Sequence, residues 1–409
     1  MKEKMIKYAQ VLLKTCLKVD PAQPLFISGN IERIDFMRIV ADEAYKIGLK
    51  DVNVEIVDPY LKHSALKNLT LEELKNTEYW NKAKWNEYAE IGGAFLMLAS
   101  EMPGLNNDID AKIISDITMY GYETRKKFDE LRDKQITPWC IAAVPTESWA
   151  KEVFPNSDNA VEDLWNAIFK ICGINDNNPE EILNNKINKL KERATKLNSY
   201  SFKKLKYENS IGTNFTIELP KNHLWASGGE TLVTGKEILV NFPTEEIFTS
   251  PDCLSANGIV YSSKPLSYQD VVIDEFWIKF ENGIAIECGA KKGEDTLKNI
   301  ISSCKNSNRL GEVALVPYDS PISNSQIIFY ETLFDENAAC HLALGASFPE
   351  CIKGGERMTP EELKEYNLNE CTNHVDFMIG TSDLKITGFT QKGEEITIFE
   401  EGNFSKTFE

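Results

Sequence analysis

The order of apolar and amphipathic segments at the start of the chain constrains the fold more than any other feature. Residues 24–29 form an apolar run typical of a buried strand, residues 33–47 have the spacing of an amphipathic helix, and residues 51–57 form a second apolar run. A strand, a helix and a strand in this order predict a βαβ unit with parallel strands. We therefore expect a small α/β sheet domain in the N-terminal half.

Later segments extend this pattern. Strand candidates at 94–98 and 139–144 alternate with helical segments at 71–90 and 119–132. Neither GxGxxG nor a Walker loop occurs, so a nucleotide site is not supported. A polar, Lys-rich helix from Asn178 to about residue 198 then predicts a connection, and the first domain is placed at residues 1–195.

Beyond the connection the chain becomes richer in strands. The strand-like segments, separated by Gly, Asn and Pro turns, are 214–219, 237–241, 271–280 and 285–287. Two helical stretches, near 294–305 and 323–340, interrupt them. The predicted fold class is therefore α/β, with an N-terminal α/β sheet domain followed by a mixed α+β domain over residues 196–409 that carries the metal site described below.

Charge and cysteine usage narrow the possible partners. The chain has 63 acidic and 45 basic residues and a net charge of -18, which argues against nucleic acid as a partner. Lysines interrupt the apolar N-terminal stretch, and no window is long enough for a membrane span. Nine scattered cysteines without a CxxC pair predict reduced thiols in the cytoplasm, not a disulfide framework or a zinc ribbon.

His374 and Asp376 form one candidate pair for metal binding. The alternation of apolar residues around them predicts a strand, in which residues i and i+2 lie on the same face. An imidazole and a carboxylate would then reach the same cation. The alternative for this pair alone is an ordinary surface hydrogen bond.

Glu336 and His341 form a second candidate pair, separated by small residues. A spacing of five does not place two side chains on one helical face, so we expect the pair to flank a turn or a broken helix. The alternative is a helix end with an acidic cap.

Glu246 and Glu312 are carboxylates in rigid or apolar surroundings. Glu246 lies between Pro243 and Pro251, and Glu312 begins a strongly apolar predicted strand. Burial of such a carboxylate is unfavourable unless it is paired or bound to metal. A salt bridge to Lys or Arg is the structural alternative.

These six residues together could hold two divalent cations. Two His, one Asp and three Glu offer enough ligands for two ions and a bridging carboxylate, a set that suits Zn, Co, Mn or Mg. Such a pair of ions activates water for hydrolysis.

The segments that carry these residues resemble those of the M29 metallopeptidases, the aminopeptidase T and aminopeptidase S family. The matching phrases are NFPTEEIFTSP (241–251), RLGEVALVP (309–317), ETLFDENAACHLALG (331–345) and NHVDFMIG (373–380). The resemblance covers the whole chain. It implies a homodimeric aminopeptidase that uses two metals and removes N-terminal residues from short peptides, with the N-terminal domain enclosing the active-site cavity.

The resemblance also assigns roles to individual residues. It implies metal-ligand positions at Glu246, Glu312, His341, His374 and Asp376. It also implies a further acidic position at Glu336, which binds metal or serves as the base. Glu312 is the other candidate for the base. The family has a tyrosine where this chain has Phe348, in the phrase HLALGASFP. A phenol at that position could donate a hydrogen bond to the oxyanion of the tetrahedral intermediate.

Three hypotheses follow. The first is a metallo-aminopeptidase, which is slower without the phenol or uses another donor such as Tyr330 or a lysine. The second is a catalytically impaired paralogue that binds peptide or metal, and the third is a metallohydrolase acting on another amide. His63 and His223 lie outside the matched phrases and are expected to be structural.

Overall fold

The computed structural model describes residues 1–102, 104–106, 108–268 and 271–409. The chain divides into two compact units. Unit 1 comprises residues 1–184 and 229–243, and unit 2 comprises residues 185–228 and 244–409. The predicted fold class is confirmed, since unit 1 has a parallel sheet and unit 2 has antiparallel sheets. The division of the chain after residue 195 stays a prediction.

Unit 1 is built on a parallel five-stranded sheet, here called the parallel sheet. Its strands in spatial order are Asn241–Phe242, Trp139–Ala143, Ala94–Ala99, Leu25–Asn30 and Val52–Val57. The predicted βαβ unit is confirmed, because Leu25–Asn30 pairs in parallel with Val52–Val57 and the helix Ile34–Ile47 connects them. The short strands Gly229–Thr231 and Glu237–Leu239 pair separately.

Unit 1 is rich in helices. They are Lys2–Val11 with a π-helical continuation Leu12–Cys16, Ile34–Ile47, Pro59–Asn68, Leu71–Glu90, Ala111–Thr124, Lys126–Asp133, Glu147–Val153 and Ala160–Ile171, with a 3-10 turn at Ile31–Arg33. The long helix Pro179–Tyr200 contains the division between the units. The helix predicted over 119–132 is two helices, which break at Arg125.

Aromatic side chains pack against the sheet from opposite faces. Phe26 and Phe95 are neighbours in register and contact Trp85. Phe242 stacks on Tyr8 instead. Apolar residues on both faces are what a parallel sheet between two layers of helices requires.

Unit 2 contains two antiparallel sheets. The short antiparallel sheet has the strands, in spatial order, His374–Met378, His341–Gly345, Leu310–Leu315, Ile247–Thr249 and Ala226–Ser227. The long antiparallel sheet has the strands Leu266–Tyr268, Val271–Glu281, Asn257–Tyr261, Asn214–Glu218, Phe202–Glu208, Lys385–Thr390, Glu395–Glu400 and Asn403–Phe404, with Ile284–Lys292 paired to Val271–Glu281. The two sheets share one apolar core, in which Phe276 contacts Phe377.

Apart from the part of Pro179–Tyr200 that belongs to unit 2, the helices of this unit are short. They are Glu294–Ser302, Pro321–Ser325, Thr332–Asp335 and Pro360–Lys364, with 3-10 turns at Glu336–Ala338, Pro349–Cys351 and Gly355–Arg357. The helix predicted over 323–340 is therefore wrong in its extent. Asp335 explains one break, because its buried carboxylate accepts the backbone N–H groups of Phe329 and Glu331 and holds that segment in a turn.

Candidate metal centre

One row of residues crosses three strands of the short antiparallel sheet. Glu312 lies opposite Ala343, and Ala343 lies opposite Asp376. Residues directly opposite one another point to the same face of a sheet. Two carboxylates therefore share this face, and the small Ala343 side chain leaves space between them.

The two histidines lie on the same face. His341 is two residues before Ala343, and His374 is two residues before Asp376, so strand alternation places each on that face. The other face carries apolar residues such as Leu342 and Phe377, which belong to the core. The prediction that His374 and Asp376 share one face of a strand is confirmed.

A β-bulge at Gly311 sets the direction of the Glu312 side chain. The register of the strand pair shifts between Leu310 and Glu312. A Cβ on Gly311 would lie 2.0 Å from the Ala346 carbonyl oxygen, so only glycine fits this approach. Bulges of this kind commonly redirect side chains beside functional sites.

Glu246 reaches this face from the segment that enters the strand Ile247–Thr249. Its Oε2 lies 3.2 Å from His341 Nε2. On the other side of the row, His374 Nε2 lies 3.1 Å from Glu312 Oε2 and 3.2 Å from Asp376 Oδ1. Glu246, Glu312 and His341 are buried, whereas His374 and Asp376 are partly exposed.

Backbone carbonyls orient both imidazole rings. His341 Nδ1 is 3.0 Å from the Glu336 carbonyl oxygen, and His374 Nδ1 is 2.9 Å from the Ala346 carbonyl oxygen. A carbonyl only accepts, so Nδ1 must donate and Nε2 faces the carboxylates. Metal-binding histidines in proteins are commonly held in this way.

The ligand atoms form two groups of three. One group is Glu246, Glu312 and His341, and the other is Glu312, His374 and Asp376; within each group the atoms lie within 4.8 Å of one another. Glu312 belongs to both groups. Imidazole nitrogens with carboxylate oxygens are a donor set that fits divalent transition metals.

Glu336 and Phe348 lie beside these groups. Glu336 is buried in the 3-10 turn Glu336–Ala338, which ends before the strand of His341, so the predicted broken helix between them is confirmed. Among the described residues, Glu336 belongs to neither group of three. The Phe348 ring centroid is 4.9 Å from that of His374 and 5.3 Å from that of Phe248.

The comparisons with known proteins agree with this arrangement. The sequence model described as "Thermophilic metalloprotease (M29)" matches residues 1–404. The chain belongs to the M29 family. It is 37% identical to "Aminopeptidase AmpS" of Bacillus subtilis (strain 168) over 98% of both chains, and 37% identical to "Aminopeptidase 2" of Geobacillus stearothermophilus over 98% of this chain and 97% of that one. The solved structure "Wild-type AmpT from Thermus thermophilus" superposes with a TM-score of 0.90 at 29% identity, covering 98% of this chain and 99% of that one.

The resemblance inferred from the four phrases is therefore confirmed, as is the prediction that this M29 protein is a metallopeptidase enzyme. Among the residues that the structure describes, no helix has the length and apolar character needed to cross a membrane.

Burial and like charge dominate the electrostatics of the M29 site. Burial raises the pKa of Glu312 to about 7, although a hydrogen bond with His374 opposes the rise. Burial, and then the charges of Asp376 and Glu246, raise the pKa of Glu336 well above its ordinary value. Burial alone would lower the pKa of His341, but the hydrogen bond and charge of Glu246 outweigh it and raise that pKa to about 9. The cluster thus retains protons that cations would displace.

Two structural alternatives from the sequence can now be compared with contacts. The buried Glu312 pairs with His374, and no ion pair with a Lys or Arg is found for it among the described residues. Asp376 lies in the same cluster, where burial would raise its pKa but the charge of His374 outweighs burial and lowers it. His374 and Asp376 are therefore part of a larger polar cluster, not an isolated surface pair.

Three further residues considered in the sequence analysis are Tyr330, His63 and His223. Tyr330 is partly buried and has a left-handed backbone, with φ 53°. His63 lies in unit 1 near Asp108. His223 is buried in unit 2, and its Nδ1 donates to the Pro220 carbonyl.

Sequence reasoning missed Asn337. This residue directly follows Glu336 and is fully buried, and its amide contacts the Glu336 carboxylate. The available indication was an uncharged polar residue within the run of small residues 337–340.

Proposed function

We propose that this protein is a metal-dependent aminopeptidase that uses two divalent cations to hydrolyse the first peptide bond of short peptides. The observation that carries the proposal is the pair of ligand groups that share the Glu312 carboxylate. Membership of a metalloprotease family and relatives named aminopeptidase support the reaction class.

Five residues would hold the cations. Glu246 and His341 would bind one ion, His374 and Asp376 the other, and Glu312 would bridge both. The donor set suits Zn, Co, Mn or Mg. When bound, such a pair would polarise the scissile carbonyl and lower the pKa of a water molecule.

We assign proton transfer to Glu336, because Glu312 is occupied as the shared ligand. The Glu336 carboxyl is buried beside the two groups, and Asn337 Nδ2 donates to its Oε1. Burial and neighbouring carboxylates raise its pKa well above the ordinary value. A buried carboxyl beside the cations that is not itself a shared ligand could accept a proton from water and return it to the leaving amine.

Reconstitution of the full-length chain tests the proposal. The metal is removed with a chelator, and Zn or Co is added back while bound metal and released leucine are measured with a leucyl tripeptide. We expect two ions per chain and release of the N-terminal residue. The same peptide with an acetylated N-terminus is the control and should not be cleaved. A chain that binds two ions but releases no leucine or phenylalanine from unblocked peptides contradicts the aminopeptidase proposal.

One observation favours a second candidate, a catalytically impaired paralogue that binds peptide or metal. The Phe348 ring lies against His374, and phenylalanine lacks the hydroxyl of the tyrosine that the family resemblance implies at this position. Loss of one oxyanion donor lowers turnover by about 10²- to 10³-fold in other enzymes.

Phe348→Tyr distinguishes the two candidates. A rise in kcat of about 100-fold would favour the impaired paralogue, and an unchanged kcat would mean that the phenol is dispensable here. Phe248→Tyr is a matched control, because it adds the same hydroxyl to the neighbouring ring.

A substrate panel with other amides addresses the third hypothesis, a metallohydrolase that acts on another amide. The homodimer, the cytoplasmic location and the roles given to residues 1–195 and 196–409 stay predictions.

A further inference from the structure

Asn337 is a buried amide whose hydrogen bonds connect two segments of the candidate centre. Its side chain is fully buried. Its Oδ1 accepts the backbone N–H of Glu245 at 2.7 Å. Its Nδ2 donates to the Leu333 carbonyl at 2.9 Å and to Glu336 Oε1 at 3.3 Å. Both donor hydrogens and the acceptor are thus used.

These partners lie next to the acidic groups of the centre. Glu245 directly precedes Glu246, so the bond to its N–H fixes the backbone from which that carboxylate extends. The two donated bonds fix the turn of Glu336 and the orientation of its carboxyl. A buried amide with satisfied partners is rigid, because any displacement leaves polar groups unpaired.

We propose that Asn337 is a positioning residue that holds Glu246 and Glu336 in register with each other. The proposal rests on the proposed function, since it concerns the geometry of that metal centre. Asn337 binds no cation itself and acts through the two carboxylates. Residues that support metal ligands in this way typically change metal affinity by about 10- to 100-fold.

The test is Asn337→Leu, which keeps the number and branching of the side-chain heavy atoms and removes the three hydrogen bonds. Zinc affinity is measured on the metal-free full-length chain by calorimetry, and kcat and KM are measured after loading. We expect the Kd of the more weakly bound ion to rise by about 10- to 100-fold and kcat to fall, with KM changed less than about threefold.

Asn198→Leu is the matched control. Asn198 lies in the same unit, and its side-chain amide is likewise hydrogen-bonded, but both of its bonds are with the backbone of one residue, Trp225. We expect this variant to lower the melting temperature but to leave zinc affinity within about twofold. If Asn337→Leu does not fold, Asn337→Ser keeps a polar atom but is too short to bridge the segments, and it should weaken zinc in the same direction.

The outcomes separate the two proposals. A folded Asn337 variant with wild-type zinc affinity and kcat overturns the positioning role and leaves the aminopeptidase proposal intact. A wild-type chain that binds no divalent metal overturns both.

A second inference rests on an independent observation, a pair of cysteines outside the candidate centre. Cys304 and Cys371 are both partly buried, and their Sγ atoms are 3.2 Å apart. Hydrogen bonds join the two segments that carry them, from Asn306 Nδ2 to the Glu370 carbonyl at 3.1 Å and from Asn369 Nδ2 to the Asn306 carbonyl at 3.0 Å. A disulfide needs an Sγ separation of about 2.0 Å, so a small movement closes the bond.

The two thiols differ in acidity. Burial raises the pKa of Cys304, but hydrogen bonds with Thr372 and Cys371 outweigh it and lower that pKa below the ordinary value. Burial raises the pKa of Cys371 to about 11. The thiolate is the reactive form of cysteine, so Cys304 is the group that reacts first with an oxidant.

We infer that Cys304 and Cys371 form a reversible disulfide when a peroxide oxidises the protein. The Cys304 thiolate attacks one peroxide oxygen, the O–O bond breaks, and water leaves with a proton from solvent, which yields a sulfenic acid. The Cys371 sulfur then attacks Cys304 Sγ, the S–O bond breaks, and hydroxide leaves with the Cys371 proton as water. Two thiols are oxidised and one peroxide is reduced to two waters.

Peptide mapping of the full-length chain tests this inference. The protein is treated with hydrogen peroxide, remaining thiols are alkylated, and the unreduced digest is examined by mass spectrometry. We expect a peptide pair joined through Cys304 and Cys371, which disappears after dithiothreitol. Cys371→Ser should abolish the pair and expose Cys304 to further oxidation.

Cys288→Ser is the matched control, since Cys288 is also a partly buried thiol of unit 2. It should leave the crosslink unchanged. Oxidation of Cys304 to the sulfinic acid in the wild-type chain without any crosslink to Cys371 overturns the inference.

Discussion

Two buried glutamates, one in each unit, show how the surroundings of a carboxylate separate a structural role from a candidate metal-binding one. Glu55 lies on a strand of the parallel sheet, where it pairs with Lys84 Nζ at 2.6 Å and accepts a hydrogen bond from Ser28 at 2.8 Å. Glu312 lies on a strand of the short antiparallel sheet, where its closest partner is His374. Both carboxylates are nearly inaccessible, with side-chain exposures of 8% and 5%.

The two carboxylates differ in the charge of the side chains that surround them. A lysine pairs with one oxygen of Glu55, and a hydroxyl donates to the other. Glu312 shares its surroundings with Asp376 and with Glu336, and burial with this like charge raises the pKa of Glu312 and of Glu336, so the metal-free cluster retains protons. Buried charge without a protein counter-charge is strongly unfavourable. The comparison teaches that burial of a carboxylate does not indicate a metal site, whereas its burial among other carboxylates and histidines does.

The largest expected effect tests this comparison directly. Glu312→Gln removes the charge shared by both ligand groups, so we expect the chain to retain fewer than two ions and kcat to fall by about 10³-fold or more. Metal content per chain by elemental analysis and turnover of a leucyl peptide are the measurements. Retention of two ions and near-normal turnover would show that Glu312 is not the shared ligand.

The next effect is a dependence of metal affinity on pH. The metal-free chain holds protons on Glu312, with a pKa of about 7, and on His341, with a pKa of about 9. Below these pKa values a cation can bind only by displacing the protons. Between pH 7 and pH 6 the apparent metal affinity should therefore fall by about tenfold for each proton that is displaced. Calorimetry in buffers of different ionisation enthalpy measures the protons released. Binding without proton release contradicts this prediction.

The same pKa shifts predict the stability of the metal-free chain. Both folded-state pKa values are raised above the ordinary values of 4.5 and 6.5. The stabilisation is therefore present below those ordinary values and is lost as pH rises through about 7 for Glu312 and about 9 for His341. We expect the melting temperature of the metal-free chain to fall as the pH rises through these values. The increase in melting temperature caused by zinc should therefore be larger at high pH than at low pH. A metal-induced increase that is equal at pH 6 and pH 9 contradicts this expectation.

A smaller effect distinguishes the two faces of the short antiparallel sheet. Ala343 lies between Glu312 and Asp376, so Ala343→Leu should push the carboxylates apart and weaken zinc by about 10- to 100-fold. Leu342 is the matched position on the apolar face. Leu342→Ala should lower the free energy of unfolding by about 2–5 kcal/mol and leave zinc affinity per folded chain nearly unchanged. Equal losses of affinity in both variants would mean that the faces are not separate.

The sequence predicts the parts of this site that depend on local geometry. The alternation around His374 places Asp376 on the same face, because the strand period is two residues. The spacing of five between Glu336 and His341 correctly excludes a continuous helix.

The parts that depend on long-range pairing could not be predicted in the same way. The contact of Glu246 with His341 joins residues far apart in the chain, and the placement of Ala343 between two carboxylates depends on strand register. Strand order does not follow from the local sequence pattern. The helix predicted over 323–340 fails for a similar reason, because the contacts of the buried Asp335 carboxylate, not the local pattern, hold part of this segment in a turn. Asn337 was missed because its role comes from contacts with Glu245 and Leu333, which no periodicity reveals.

The smallest expected effect returns to Glu55. Because Lys84 is 39% exposed, solvent screens the pair and Glu55→Gln should lower the free energy of unfolding by only about 1 kcal/mol. Glutamine keeps the size of the side chain and can still accept the Ser28 hydrogen bond. Urea denaturation measures the change, and zinc binding should be unaltered because the substitution lies in unit 1, on the strand Val52–Val57. A loss of bound zinc in this variant would remove the distinction between the two carboxylates, since a glutamate with its own lysine would then also influence the metal centre.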